Sequence, residues 1–166
     1  MPQLISVLAE DVPDVLLRIL SVLPAQGAIV RSLAAGPDAE AGRLRVTLAL
    51  EVNEVAKRRV LERIRKLIDV IEASDLDNCP VCREMLLVRL ETSPPELEER
   101  VQQAETLGAR IIDLSAHQAT LEITGAQTAL DTFIEIMRAL GRLEVARSGV
   151  VALPGSPGAP SPNAIR

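Results

Sequence analysis

Aromatic side chains are almost missing from this 166-residue chain, which has one Phe, no Trp and no Tyr. Stacking platforms for bases or sugars therefore have little to be built from. The core has to be aliphatic, drawn from Leu, Ile, Val and Ala. Histidine is as scarce, with His117 alone. Ser, Asp and Glu are plentiful but form no recognisable nucleophile or metal cluster, which weighs against catalysis by this chain. No apolar run reaches the ~20 residues of a membrane span. Positive charge is in deficit: 18 basic residues face 23 acidic ones, a net charge of −5. A general nucleic-acid binder needs the opposite balance. The opening MPQLISVLAED has neither a basic start nor a cleavage signal, and there are two cysteines. A cytoplasmic location is expected from that pattern.

The composition, 48% hydrophobic and 25% charged, is that of a soluble globular protein. Its length suffices for one ordinary domain or two small ones. Gln3–Glu10 (QLISVLAE) is a short apolar run, read as a buried strand. A helix is expected next, because Val12, Val15, Leu16, Ile19 and Leu23 share one helical face. Pro13 is placed in its first turn, and Pro24 and Gly27 at its end. Ile29–Gly36 reads as a second strand, and PDAEAG as a turn. In RLRVTLALEV, Leu44, Val46, Leu48 and Leu50 alternate with Arg43, Arg45, Thr47 and Ala49, so one face is expected to be buried. Asn53 is a cap for a helix with a Val60, Ile64, Leu67, Ile68 stripe, on which Lys57, Arg58, Arg63 and Arg65 stay largely wet. Val70–Leu76 closes the unit as a fourth strand.

This β-α-β-β-α-β order is the split ferredoxin-like motif, and it recurs. Arg83–Glu91 is a strand, and Ser93–Gly108 a helix capped by Ser93 with Pro94 and Pro95 in its first turn. ARIIDLSA and ATLEITG are strands around an HQ turn. Ala126–Leu140 is a helix with Leu130, Phe133, Ile134 and Met137 on one face, and LEVARSGVVAL is the last strand. The expected class is α+β: two tandem ferredoxin-like βαββαβ units, over residues 1–76 and 83–153, with a linker at 77–82. The Pro/Gly/Ser-rich tail 154–166 reads as disordered.

Cys79-Pro80-Val81-Cys82 in the linker is a lone CxxC. It reads as a redox pair, half of a shared zinc site, or inert linker cysteines, the last being favoured without a second pair. His117 is read as a surface turn residue. The basic run KRRVLERIRK (57–66) is interrupted by Glu62 and reads as a solvated helix face rather than an RNA contact, with contact to the acidic or polar surface of a larger partner subunit as the minority reading.

Several strings resemble the small regulatory subunit of acetolactate synthase, in order from residue 3 to about 153. ISVLAEDVPDVLLRI resembles that family's opening strand and helix. QGAIVRSL is similar to its second strand, where Gly-aromatic-Asn-Ile-Glu-Ser-Leu is usual. KLIDVIEASDL, REMLLVRL and IEIMRALGRLEVARSGVVAL resemble its later strands and C-terminal end. The resemblance implies an N-terminal ACT domain, a homodimer through paired ACT sheets, and a branched-chain amino acid, usually valine, bound at that interface. It implies association with the large catalytic subunit, which carries thiamine diphosphate, a divalent metal and FAD. This chain would bind no cofactor or metal itself. It would raise large-subunit activity and confer valine feedback in valine, isoleucine and leucine biosynthesis. The other function class to weigh is a stand-alone ACT-type sensor of a small molecule.

The effector site implied by the resemblance is the turn Glu10, Asp11, Val12, Pro13, Asp14 and Val15, facing Ile29, Val30, Arg31 and Ser32 across a dimer. A ligand carboxylate favours a helix N-terminus with its free N–H groups. This sequence departs from the family's pattern there. Asp11 stands for Asn, Asp14 for Gly, Ala28 and Ile29 for the aromatic and Asn, and Arg31 for Glu. Asp14 adds a Cβ and a negative charge, and is expected to cap the helix amides itself. Ile29 cannot accept from an ammonium. Weak or lost valine binding is expected, and Arg31 is read as a solvated charge or, alternatively, as a partner for a different, anionic ligand.

Overall fold

The computed structural model of the chain describes residues 2–76 and 81–153. Cys79 of the CxxC and the tail 154–166 lie outside the described residues. The chain divides into two compact units. Among the described residues, 2–76 with Val81 and Cys82 form the first, together with Val150–Leu153, and Arg83–Gly149 form the second.

In the first unit, β1 (Gln3–Glu10), α1 (Val15–Ser21), β2 (Ile29–Pro37), β3 (Arg43–Glu51), α2 (Glu54–Ile64) and β4 (Val70–Asp75) follow in order. All the strand pairs are antiparallel, in the order β2-β3-β1-β4. Ile5, Val7 and Ala9 of β1 and Val46, Leu48 and Leu50 of β3 meet Val15 and Ile19 of α1 and Val60, Leu61 and Ile64 of α2 in one aliphatic core. Asn53 caps α2, its Oδ1 accepting from the Ala56 N–H at 2.8 Å.

Four local expectations change. Pro13 precedes α1 instead of sitting in its first turn, because the helix starts only at Val15. Pro24 opens a short 3-10 turn, Pro24–Gln26, rather than simply stopping the helix. Ile68 falls beyond the end of α2 and is 92% exposed, so the apolar stripe stops at Ile64 and the partly buried Leu67. Lys57 is 3% exposed rather than wet. It lies on the buried side of the helix with Val60, Leu61 and Ile64, at i, i+3, i+4 and i+7. Its ammonium survives burial by pairing with Asp75 Oδ2 at 2.8 Å and Glu54 Oε2 at 3.3 Å.

The expected alternation in β3 also fails: Thr47 and Ala49 are buried along with Val46, Leu48 and Leu50. The sheet face away from the helices is therefore covered too. Val150–Leu153 belongs to this unit, and the Val150 N–H donates to Ser32 Oγ at 3.4 Å. Ser32 pairs with Ala49 across β2 and β3.

The second unit holds β5 (Val81–Glu91, whose first two residues belong to the first unit), α3 (Pro94–Thr106), β6 (Arg110–Leu114), β7 (Gln118–Gly125), α4 (Gln127–Arg138) and β8 (Arg142–Arg147). Its strand order, β6-β7-β5-β8, repeats that of the first unit. Here alternation holds: Leu86, Val88 and Leu90 are buried and their neighbours along β5 are not. Ser93 precedes Pro94 at the start of α3, and His117 is exposed at the β6–β7 turn. The expected last strand is two strands, because Gly149 turns the chain at φ 78° between β8 and β9 (Val151–Leu153). Among the described residues no helix is long and apolar enough to cross a membrane.

Candidate functional site

The β1–α1 turn is fixed by backbone bonds from both sides. The Glu10 N–H donates to the Asp69 carbonyl at 2.8 Å, and the Asp11 N–H to the Gly42 carbonyl at 2.8 Å. Val12 packs against the core and Val15 is buried in it, while Glu10, Asp11, Pro13 and Asp14 face outward. Arg18 on α1 forms an ion pair with Asp69, tying the helix to the chain entering β4.

Asp14 has a left-handed backbone, φ 67° and ψ 0°. Among the described residues it is the one non-glycine with positive φ. That region crowds Cβ against the following carbonyl, and Asp is one of the few L-residues found there. The turn therefore keeps a conformation that suits glycine while carrying a carboxylate. The expected self-capping is not made, since no side-chain hydrogen bond runs from Asp14 to the helix amides. The Arg18 N–H donates to the Asp14 carbonyl at 2.9 Å, so the amides of Leu16 and Leu17 precede the helix's own ladder. Donors for an anion are thus present, but Glu10, Asp11 and Asp14 put three exposed carboxylates on the same turn.

Ile29–Ser32 lies on β2, an outer strand of the sheet. Ile29 and Val30 are exposed apolar side chains. A register shift between Val30 and Ser32 puts Arg31 at a bulge. Its guanidinium pairs with Glu51, with Nε donating to Oε2 at 2.6 Å. Arg31 is thus a cross-strand ion pair at the sheet's edge, with its charge already met.

One chain does not bring the two halves together. Glu10 pairs with Arg43 at the start of β3, and Ile29 pairs with Glu51 at its end. Eight residues of extended strand separate those register points, about 27 Å at ~3.4 Å per residue. Sequence reasoning missed Asp69, Gly42 and Glu51, which hold the two halves in place. Strand pairing delivers all three from distant positions, so no local pattern marks them.

The second unit has one buried ionic cluster. Glu84 is 3% exposed and receives two bonds from Arg147, Nε to Oε1 at 2.9 Å and Nη2 to Oε2 at 2.6 Å. Arg147 also donates to Asp131 Oδ1 at 2.7 Å. The hydrogen bonds to Glu84, more than those to Asp131, hold the guanidinium protonated beyond its ordinary range. This cluster joins β5, α4 and β8, which gives Arg147 in LEVARSG a structural role.

Fold and turn together define a protein of two tandem ferredoxin-like units with the same strand order. The family described as "Small subunit of acetolactate synthase" matches residues 83–156. The "Probable acetolactate synthase small subunit" of Archaeoglobus fulgidus is 32% identical over 153 residues, covering 92% of this chain and 96% of that protein. The acetolactate synthase small subunit of Mycobacterium bovis is 29% identical over 154 residues, covering 92% of each. The crystal structure of the acetolactate synthase small subunit from Thermotoga maritima superposes with a TM-score of 0.83 at 26% identity, covering 92% of this chain and 96% of that one. The chain belongs to the acetolactate synthase small subunit family. Its role is that of a regulatory subunit, which associates with a catalytic large subunit.

Proposed function

We propose that this chain activates the acetolactate synthase large subunit without chemistry of its own, and that valine feedback through it is weakened. The observation that carries the second part is Asp14, a charged side chain held in a left-handed turn that suits glycine. A ligand carboxylate approaching the Leu16 and Leu17 amides meets the Asp14 carboxylate first. Ile29 offers no acceptor to an ammonium group. Neither change touches the core or the strand register, so the fold and the association with the large subunit persist.

In this reading, thiamine diphosphate, the divalent metal and FAD belong to the large subunit in the cytoplasm. Among the described residues no group of three or more His, Cys, Asp or Glu is placed to hold a metal ion. The two site halves lie about 27 Å apart by strand rise, so the reading also requires a homodimer. The free edge of β2, with Ile29 and Val30 exposed, is the natural seam.

The test is large-subunit acetolactate synthesis with and without this protein, each titrated with valine. Activation with no valine response up to about millimolar levels supports the reading, because a working feedback site binds its effector more tightly than that. Inhibition at about micromolar valine overturns the weakened-feedback part, and no activation overturns the rest.

A further inference from the structure

Among the described residues, most of the cations are paired with a carboxylate, and the exceptions gather in one place. Ten arginines between Arg18 and Arg147 each face a carboxylate. Lys57 is buried against Asp75 and Glu54. Arg58, Arg59, Arg63 and Lys66 are exposed and make no ion pair among the described residues. Arg65 beside them donates to the Ala73 carbonyl at 2.9 Å. In a chain of net charge −5, the unneutralised cations among the described residues thus gather on α2 and its C-terminal end.

Apolar surface lies among them. Val55, Arg59, Glu62 and Lys66 follow one another at i, i+4, i+7 and i+11, and Val55 is 59% exposed. Ile68, in the loop that follows, is 92% exposed, and Ile71 on β4 is 46% exposed. A shallow hollow of about 360 Å³ runs beside Ile71, lined by Arg65, Val70, Glu72, Ala73 and Ser74. β4 is the outer strand of the sheet, at the opposite edge from β2.

We infer that the α2 face with the Ile68–Ile71 edge is the surface by which this chain docks on the catalytic large subunit. The inference rests on the regulatory reading above. The occupant is a patch of that subunit with carboxylates around an apolar socket that takes Ile68. Three features favour a protein over a nucleic acid. Glu62 stands in the middle of the cations, where it would repel a phosphate backbone. No Trp or Tyr is available to stack on a base, and the one Phe is buried in the second unit. Exposed Ile side chains beside an outer strand gain from a protein surface and little from a duplex. In the homodimer proposed above, a second copy of this chain takes the β2 edge at the far side of the sheet.

The experiment measures the affinity of the full chain for the purified large subunit of the same organism by sedimentation, at several salt concentrations. The wild-type affinity is expected to fall as salt rises, and Arg59→Glu with Lys66→Glu to weaken it about tenfold or more. Ile68→Asp is expected to weaken it about fivefold or more at every salt concentration. Arg138→Glu, which removes a paired surface cation on α4, is the control and is expected to leave it unchanged. Circular dichroism and dimer mass show that each variant is folded. If folded variants bind as tightly as wild type, the docking surface is wrong and the regulatory reading stands. If wild type does not bind the large subunit at all, both fall. Retention of RNA by wild type that Arg59→Glu with Lys66→Glu abolishes, with large-subunit binding intact, overturns the inference in favour of a nucleic-acid surface.

Discussion

Replacing Asp14 separates the cost of its backbone from the effect of its charge. With φ at 67°, an L side chain is destabilised by about 1–2 kcal/mol relative to ordinary helix dihedrals, less for Asp than for most. Asp14→Gly removes that crowding but restores freedom to the unfolded chain, a cost of about 0.5–1 kcal/mol. The net expectation is a gain of about 0.5 kcal/mol. Asp14→Ala keeps the Cβ and loses the short polar group that tolerates this region, so it is expected to cost about 1 kcal/mol. No side-chain cap is lost in either variant, because Asp14 makes none. The two variants should differ by about 1.5 kcal/mol, or about 0.75 M in urea midpoint for a slope of ~2 kcal/mol/M. Urea unfolding at one fixed protein concentration reads the difference, since the proposed dimerisation adds to apparent stability. If Ala proves as stable as Gly, the turn is not left-handed in solution and the argument from Asp14 fails.

Other predictions concern the ionic pairs and the effector site. Arg147→Ala leaves the buried Glu84 without its partner and is expected to cost about 2–3 kcal/mol, after allowing for the exposed third of Arg147. Glu84→Leu with Arg147→Leu should recover most of that loss in thermal unfolding. Asp38 at the β2–β3 turn is held below its usual pKa of 3.8, chiefly by the hydrogen bond from Arg45. A depressed folded pKa stabilises above the unfolded value and is lost as pH falls through 3.8 and below. Asp38→Asn should therefore lower stability at neutral pH and flatten the acid limb of a pH–stability curve, with no change in slope above about pH 5. Asp14→Gly with Ile29→Asn should restore measurable valine binding by calorimetry, whereas Arg31→Glu alone should not, because Arg31 is engaged by Glu51.

Strands and the repeated unit were legible because their signals are local. β1 spans the residues its apolar run marks, and Asn53 caps α2 as its side chain dictates. Lys57 was not legible, because a lysine on a helix reads as exposed until a distant Asp75 is brought beside it. Thr47 and Ala49 read as a wet face, since nothing local tells that both faces of β3 are buried. At the site, the departures from the family pattern were visible residue by residue. The left-handed backbone of Asp14 was not, and neither was the pairing of Arg31 with Glu51. Both depend on turn geometry and strand register, which emerge only when β1, β2 and β3 are paired.

The most direct test is the large subunit's rate of acetolactate formation, measured alone, with this protein, and with this protein plus valine. A higher rate on addition of this chain, unchanged by valine up to about millimolar levels, is the predicted result. An unchanged rate on addition of this chain contradicts the regulatory account. A fall in rate at about micromolar valine leaves the regulatory role standing and contradicts the reading of Asp14.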